Sequence, residues 1–292
     1  MNAAEKLAEA GLDPAKVREI VQRALDEDLG VPRSDPTSEA IFPLDVHGDA
    51  ELVARQDGVV AGLVVAEAVF GSFDAPGAEI VFTRRVAEGD RVAAGEVLAT
   101  ASGPVRHLLM AERTVLNFLC RMSGVATHTR RWAELLADTK VTVLDTRKTT
   151  PGLRVLDKYA VRVGGGGNKR VGLFDVAMIK DNHKFAAGSV TVAYERVRAE
   201  RPDIDIQVEV DTIDEAREAV AAGADFLLCD NMTPDQLREV VAAVGDVARL
   251  EATGAITLAS AAEYAATGVD YISSGALTHS SPILDIALDV RS

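Results

Sequence analysis

The sequence predicts an α/β protein in which a small N-terminal α+β domain precedes a parallel α/β barrel. Short β-rich runs separated by glycines fill residues 48 to 109, whereas beyond residue 140 apolar β-branched runs alternate with helical stretches. The later runs are VTVLD, VAMIK, IQVEV, FLLCD, ARLEA and DYISS. Each carries a polar residue at or next to its end, as buried parallel strands do where their loops converge on a barrel mouth. Glu209, Asp230, Glu251 and Ser273 succeed one another at 21, 21 and 22 residues, the short βα period of a closed or nearly closed barrel.

Taken in order, residues 13 to 30 form an amphipathic helix. Val17, Ile20, Val21, Ala24 and Leu25 make one stripe, Asp13 and Pro14 are start signals, and Gly30 is the stop. The runs GDAELVARQDGVVAGL and AEIVFTRRVAEGDRVAAGEVLATASGPV predict an antiparallel sheet with tight turns. Within it, VAEGDRVAAGEVLAT resembles half of a biotinyl or lipoyl carrier domain, but no lysine lies between Lys16 and Lys140 to sit at a hairpin tip, so the likeness is one of turn chemistry. Helical texture returns at AERTVLNFLCRMSGVATHTRRWAELLADT, with Leu116, Leu119, Met122 and Trp132 at core spacing. The expected domains are 1–115, joined by the C-terminal tail 281–292, and a barrel over 116–280.

Composition narrows the function classes. No apolar stretch approaches the roughly 20 residues that span a bilayer, and the N-terminus alternates charge with alanine, which places the chain in the cytoplasm. Cys120 and Cys229 are flanked by apolar residues and form no C-x-x-C pair, so both are expected as buried free thiols. A net charge of −14 makes nucleic acid and anionic membrane poor partners. Residues 145 to 180 run against that balance, with eight basic groups against three acids. Several of these cations flank apolar runs or glycines, which favours a concave anion site over a solvated face.

In a parallel barrel the chemistry sits at the C-terminal strand ends. Those ends supply Arg147 and Lys148, Lys180, Glu209, Asp230, Glu251 with Thr253 and Gly254, and Ser274 with Gly275. Acids facing cations across one mouth suit a substrate that carries negative charge and a metal. The run VRVGGGGNKR brings four glycines before Asn168, Lys169 and Arg170, where backbone amides can approach an anion. It lacks the P-loop layout, and a flexible surface loop is the alternative reading. EATGAI and SSGALTHSS are each suited to cradle a terminal phosphate.

These residues carry a specific likeness. EDLG, AERTVLNFLCRMSGVAT, DTRKTTPGLR, KYAVRVGGGGNKR, MIKDNH, VEVDT, LCDN and GALTHS occur in the order seen in decarboxylating quinolinate phosphoribosyltransferases, and the chain resembles that family over roughly residues 27 to 289. The resemblance implies an N-terminal α/β sandwich joined to an open seven-stranded α/β barrel. It implies a pentosyltransferase that makes nicotinate mononucleotide, carbon dioxide and pyrophosphate from quinolinate and phosphoribosyl pyrophosphate, with Mg²⁺, in NAD biosynthesis. Carried over residue by residue, Arg147, Arg170 and Lys180 hold the quinolinate carboxylates, joined by Arg113 from the neighbouring subunit of a homodimer. Lys148, Glu209 and Asp230 are the catalytic set, with Lys148 at the phosphoribosyl pyrophosphate and Glu209 and Asp230 at the ribose hydroxyls and Mg²⁺. Thr253, Gly254, Ser274, Gly275 and Ala276 meet the 5′-phosphate, and Thr146 and Lys169 complete the substrate-binding set. Several rigid cations are what two carboxylates on adjacent ring carbons require.

Two departures stand out. The family commonly has N-H-R where this chain has Asn168, Lys169 and Arg170, so a neutral imidazole is replaced by a cation. EATGAI replaces the usual S-G-G, a mild change if backbone amides bind the phosphate. Two rival readings are a same-fold transferase acting on another acid, as in the molybdenum-transport-associated relative, and a Schiff-base aldolase using Lys180. His128, His183 and His279 are left out of the site, since lone histidines more often have structural partners.

Overall fold

The computed structural model describes residues 2–73 and 78–291. It divides into two compact units. The first takes the chain up to His128, Thr150–Gly164 and the tail from Ser281, and the second takes Thr129–Thr149 and Gly165–Ser280. No described helix is long and apolar enough to cross a membrane.

The amphipathic helix of the first unit spans Pro14–Leu29. The Asp13 carboxylate accepts from the amides of Ala15 and Lys16, satisfying donors that the first helical turn leaves open, and Gly30 ends the helix. Val17, Val21 and Leu25 are almost fully buried, which is worth roughly 1.5–3 kcal/mol each. The strands of this unit are β1 (His47–Ala54), β2 (Gly58–Val59), β3 (Val81–Arg84), β4 (Arg91–Val92) and β5 (Val97–Pro104). β1 pairs antiparallel with β5 and with the C-terminal strand Ile286–Arg291, and β3 closes the far side on β5. β2 and β4 form a separate antiparallel pair. The helical texture beyond residue 110 belongs to one 31-residue helix, Val105–Leu135. Its first part packs in this unit, where a Cβ on Gly124 would fall 2.1 Å from the Pro282 carbonyl oxygen. Only glycine lets the C-terminal tail lie that close to the helix.

All six apolar runs of the second unit are strands: β6 (Thr142–Leu144), β7 (Ala177–Ile179), β8 (Ile206–Val210), β9 (Phe226–Asp230), β10 (Arg249–Thr253) and β11 (Tyr271–Ser273). They form one parallel sheet in the order β6-β11-β10-β9-β8-β7. The seventh place is held by a single parallel bridge, Gly167 to Leu144 on the free side of β6. Glycines give that segment no β-branched side chains to pack, and the pairing does not extend. The sheet curls. Lys169, just past this bridge, touches Glu251 on β10, and three strand spacings would separate the two lines by about 14 Å in a flat sheet. Helices Val190–Glu200, Ile213–Ala221 and Pro234–Val244 connect the strands, each opened by a Ser or Thr cap, namely Ser189, Thr212 and Thr233. Cys120 and Cys229 are buried and free.

Candidate active site

Strand register places the acids of the second unit in two tiers. Glu209, Leu228 and Glu251 lie level on β8, β9 and β10. Asp230 and Thr253 lie level one step nearer the C-terminal ends, where Ser273 Oγ donates to Thr253 Oγ1 at 3.0 Å. Residues two apart on a strand share a face, so both tiers point the same way. Lys180 follows β7 directly, and its ammonium pairs with the Glu209 carboxylate. Gly254 turns the chain away after β10 with φ +127°, and a Cβ there would fall 2.5 Å from Asn231 Oδ1. Asn231, just after β9, itself adopts φ +52°.

The glycine-rich segment is held by Asp145, which is fully buried at the end of β6 and accepts from Asn168 Nδ2 and from the Lys169 amide, each at 2.8 Å. Lys169 therefore turns inward, and its Nζ lies 2.6 Å from Glu251 Oε1. Its side chain is 7% exposed and that of Glu251 is 0% exposed. Burial pushes the Lys169 pKa down, the Glu251 carboxylate opposes this, and the charges of Lys180 and Arg170 add to the lowering. Arg170 Nη1 donates to the Val176 carbonyl at 3.2 Å. Burial and the nearby Arg147 lower the Arg170 pKa, and since guanidinium keeps its proton, the result is concentrated positive charge ready for an anion. Burial, then Glu209, raises the pKa of Asp230.

These side chains line one cavity of about 660 Å³. Arg147, Lys148, Lys169, Arg170 and Lys180 face it as cations, with Glu209 and Asp230 as acids and Thr146, Thr253 and Gly254 beside them. A neighbouring cavity of about 520 Å³ shares Arg147, Arg170 and Lys180 and continues over apolar Ala177, Met178 and Ile179. The first unit holds a cavity of about 510 Å³, but its lining balances Arg23 and Arg121 against Glu27 and Asp28, which offers no excess charge to a dianion.

Ser274, Gly275 and Ala276 are not among the residues lining the cationic cavity. The Ser274 amide donates to the Leu144 carbonyl at 3.1 Å, so sheet pairing already uses it. Arg113 lies in the first unit, exposed on the helix Val105–Leu135. The cavity also brings in Asn231, and the lower tier brings in Glu251, which the sequence showed only as a strand end. A fully buried acid requires a partner, and that was its one available signal. His183 Nδ1 accepts from the Lys180 amide at 2.9 Å, a structural bond. A Schiff-base lysine needs a neutral amine in an apolar pocket, and Lys180 is exposed and ion-paired instead.

No cluster of three or more metal-ligating side chains occurs among the described residues. Glu209 and Asp230 offer two carboxylates, a set that suits Mg²⁺ held mainly by water and substrate oxygens rather than by a full protein cage.

Two family models match the chain in succession: Quinolinate phosphoribosyl transferase, N-terminal domain, over residues 35–123, and its C-terminal domain over residues 125–289. The chain is 43% identical over 276 residues to the probable nicotinate-nucleotide pyrophosphorylase [carboxylating] of Bacillus subtilis (strain 168), covering 94% of this chain and 93% of that one. It is 44% identical over 278 residues to the nicotinate-nucleotide pyrophosphorylase [carboxylating] of Mycobacterium leprae (strain TN), covering 94% and 96%. Among solved structures, NadC from Streptococcus pyogenes superposes with a TM-score of 0.90 at 39% identity, covering 96% of this chain and 99% of that one. The cationic mouth is thus found in a chain matched nearly from end to end, and this chain belongs to the quinolinate phosphoribosyl transferase family.

Proposed function

We propose that this chain transfers the phosphoribosyl group of phosphoribosyl pyrophosphate to quinolinate with loss of the ring's 2-carboxylate, giving nicotinate mononucleotide, carbon dioxide and pyrophosphate for NAD biosynthesis. The observation that carries this reading is one cavity with five cations against two carboxylates. Only a strongly anionic ligand set balances such a wall. Arg147, Arg170 and Lys180 take the two carboxylates of the acid, Lys148 the pyrophosphate donor, and Thr253 and Gly254 its 5′-phosphate, with Ser274, Gly275 and Ala276 at the edge of that subsite. Mg²⁺, when bound at Glu209 and Asp230, neutralises charge developing on the pyrophosphate. The enzyme works as a cytoplasmic homodimer in which Arg113 of each protomer reaches the other's site. Two buried free thiols suit a reducing compartment.

As pyrophosphate departs, positive charge builds on the ribose, and the Glu209 and Asp230 carboxylates face it. The pyridine nitrogen of the bound acid attacks, held in line by the guanidinium pairs. With that nitrogen cationic, the adjacent carbon–carboxylate bond breaks because the electron pair left on the ring is stabilised by the new charge. No protein nucleophile is required. Purified protein mixed with quinolinate, phosphoribosyl pyrophosphate and Mg²⁺ should release carbon dioxide, and nicotinate should not replace quinolinate. Turnover of nicotinate without gas would move the assignment to a same-fold transferase for another acid.

A further inference from the structure

Loss of carbon dioxide leaves a ring carbanion that must gain a proton, and an acid held beside that carbon would give it directly. The cavity offers few groups able to give one. Arg147 and Arg170 keep their protons at any accessible pH, while the reading above gives the exposed Lys180 to the carboxylates of the acid and Lys148 to the pyrophosphate donor. Lys169 differs. It lines the same cavity next to Arg170 in the chain, its ammonium is anchored 2.6 Å from a fully buried carboxylate, and its side chain is 7% exposed. Glu251 holds it through Oε1 alone, since Oε2 has no hydrogen-bond partner among the described residues. Glu251 thus holds Lys169 from the tier below Asp230 and Thr253, and Lys169 lines the cavity above it.

We propose that Lys169 is the proton donor to the ring carbon that loses its carboxylate, with Glu251 as the positioning residue that aims it. The proposal rests on the phosphoribosyl-transfer reading above and deepens it. The carbon–carboxylate bond breaks, its electron pair stays on the carbon beside the cationic ring nitrogen, and carbon dioxide leaves. One proton passes from Lys169 Nζ to that carbon. The resulting amine keeps its contact with Glu251 and regains a proton from water after product leaves. Burial favours release, because it lowers the pKa of this ammonium, as do the facing charges of Lys180 and Arg170.

The test is turnover in an equal mixture of H₂O and D₂O, with the hydrogen-to-deuterium ratio at the former carboxylate position of the product read by NMR. Product is collected to the same amount for every protein, so a slow variant is still measured. Lys169→Arg keeps a cation opposite Glu251 but has no proton to give, and Lys169→His supplies a different acid. Both should shift the ratio away from the wild-type value, in different directions or by different amounts, because the transferring group has changed. A ratio identical to wild type in either folded variant overturns the proposal, because the proton then comes from elsewhere and Lys169 serves only as a carboxylate contact. Wild-type protein that releases no carbon dioxide overturns the functional reading itself, and the proton-donor role falls with it.

Discussion

Lys184 is buried, yet its ammonium meets three carboxylates: Asp181 Oδ1 at 2.8 Å, Glu215 Oε2 at 2.9 Å and Asp211 Oδ2 at 3.1 Å. Burial works against the charge, but hydrogen bonds to Asp181, Glu215 and Asp211 outweigh it and raise the Lys184 pKa. A lysine whose pKa is higher folded than unfolded stabilises the fold fully below the unfolded value, and that contribution fades as pH rises through the folded one. Replacing Lys184 with Met leaves three clustered acids, two of them exposed, without their cation and should cost about 1–3 kcal/mol at pH 7. The Tm difference from wild type should hold across neutral pH and close only in strongly alkaline buffer, and a gap that closes near neutrality would contradict the assignment. The cluster also joins the helix Asp181–Ala187, which starts beside Lys180, to Asp211, two residues past Glu209. The same variant should therefore loosen the Lys180–Glu209 contact and lower kcat/KM.

Glu88 plays a similar part for an element. The helix Leu63–Phe70 starts at Gly62, which has no side chain to cap it. The Glu88 carboxylate accepts instead from the amides of Gly62 at 2.8 Å and Val64 at 2.9 Å. Burial raises the Glu88 pKa even against these bonds, so the cap is held at some electrostatic cost. Glu88→Ala should lower stability by about 1–2 kcal/mol in urea unfolding, as loss of an N-cap does. An unchanged midpoint would show that the helix needs no such cap. Nothing near Gly62 in the sequence announces this cap, because the accepting carboxylate comes 26 residues later. The contrast with Pro14–Leu29 is instructive, since Asp13, Pro14 and Gly30 are local signals and the whole helix was legible. The six parallel strands were legible for the same reason, as runs of buried β-branched residues. The seventh was not, because its segment is glycine and its pairing depends on Asp145 gripping Lys169 and Asn168. Within the site, the clustering of cations between residues 145 and 180 gave away the anion cavity. The Lys169–Glu251 pair joins residues 82 apart and shows only when the sheet curls, as does the use of the Ser274 amide in sheet pairing.

At the scale of the whole molecule, a chain of net charge −14 concentrates its positive wall in one cavity, so the dianionic substrates meet a local field opposite to the global one. Arg113 stands outside that arrangement. It is exposed on the helix Val105–Leu135 while Ala111, Thr114 and Val115 around it are buried. A long side chain held out from a rigid helix suits a group delivered to another protomer, and a two-fold interface would make that delivery reciprocal. Arg113→Ala and Glu209→Gln should each be nearly inactive as homodimers, because every site lacks one of the two groups. Co-expression with two different tags yields mixed dimers. In these, the barrel with intact Glu209 receives Arg113 from its neighbour, while the other site lacks both. Purified mixed dimer should therefore recover about half of wild-type activity per dimer, the value for one working site of two in an isologous pair. Mixed dimers as inactive as their parents, or an Arg113→Ala homodimer with wild-type turnover, would remove Arg113 from the neighbouring site and leave the cavity of the second unit to bind quinolinate with its own cations alone.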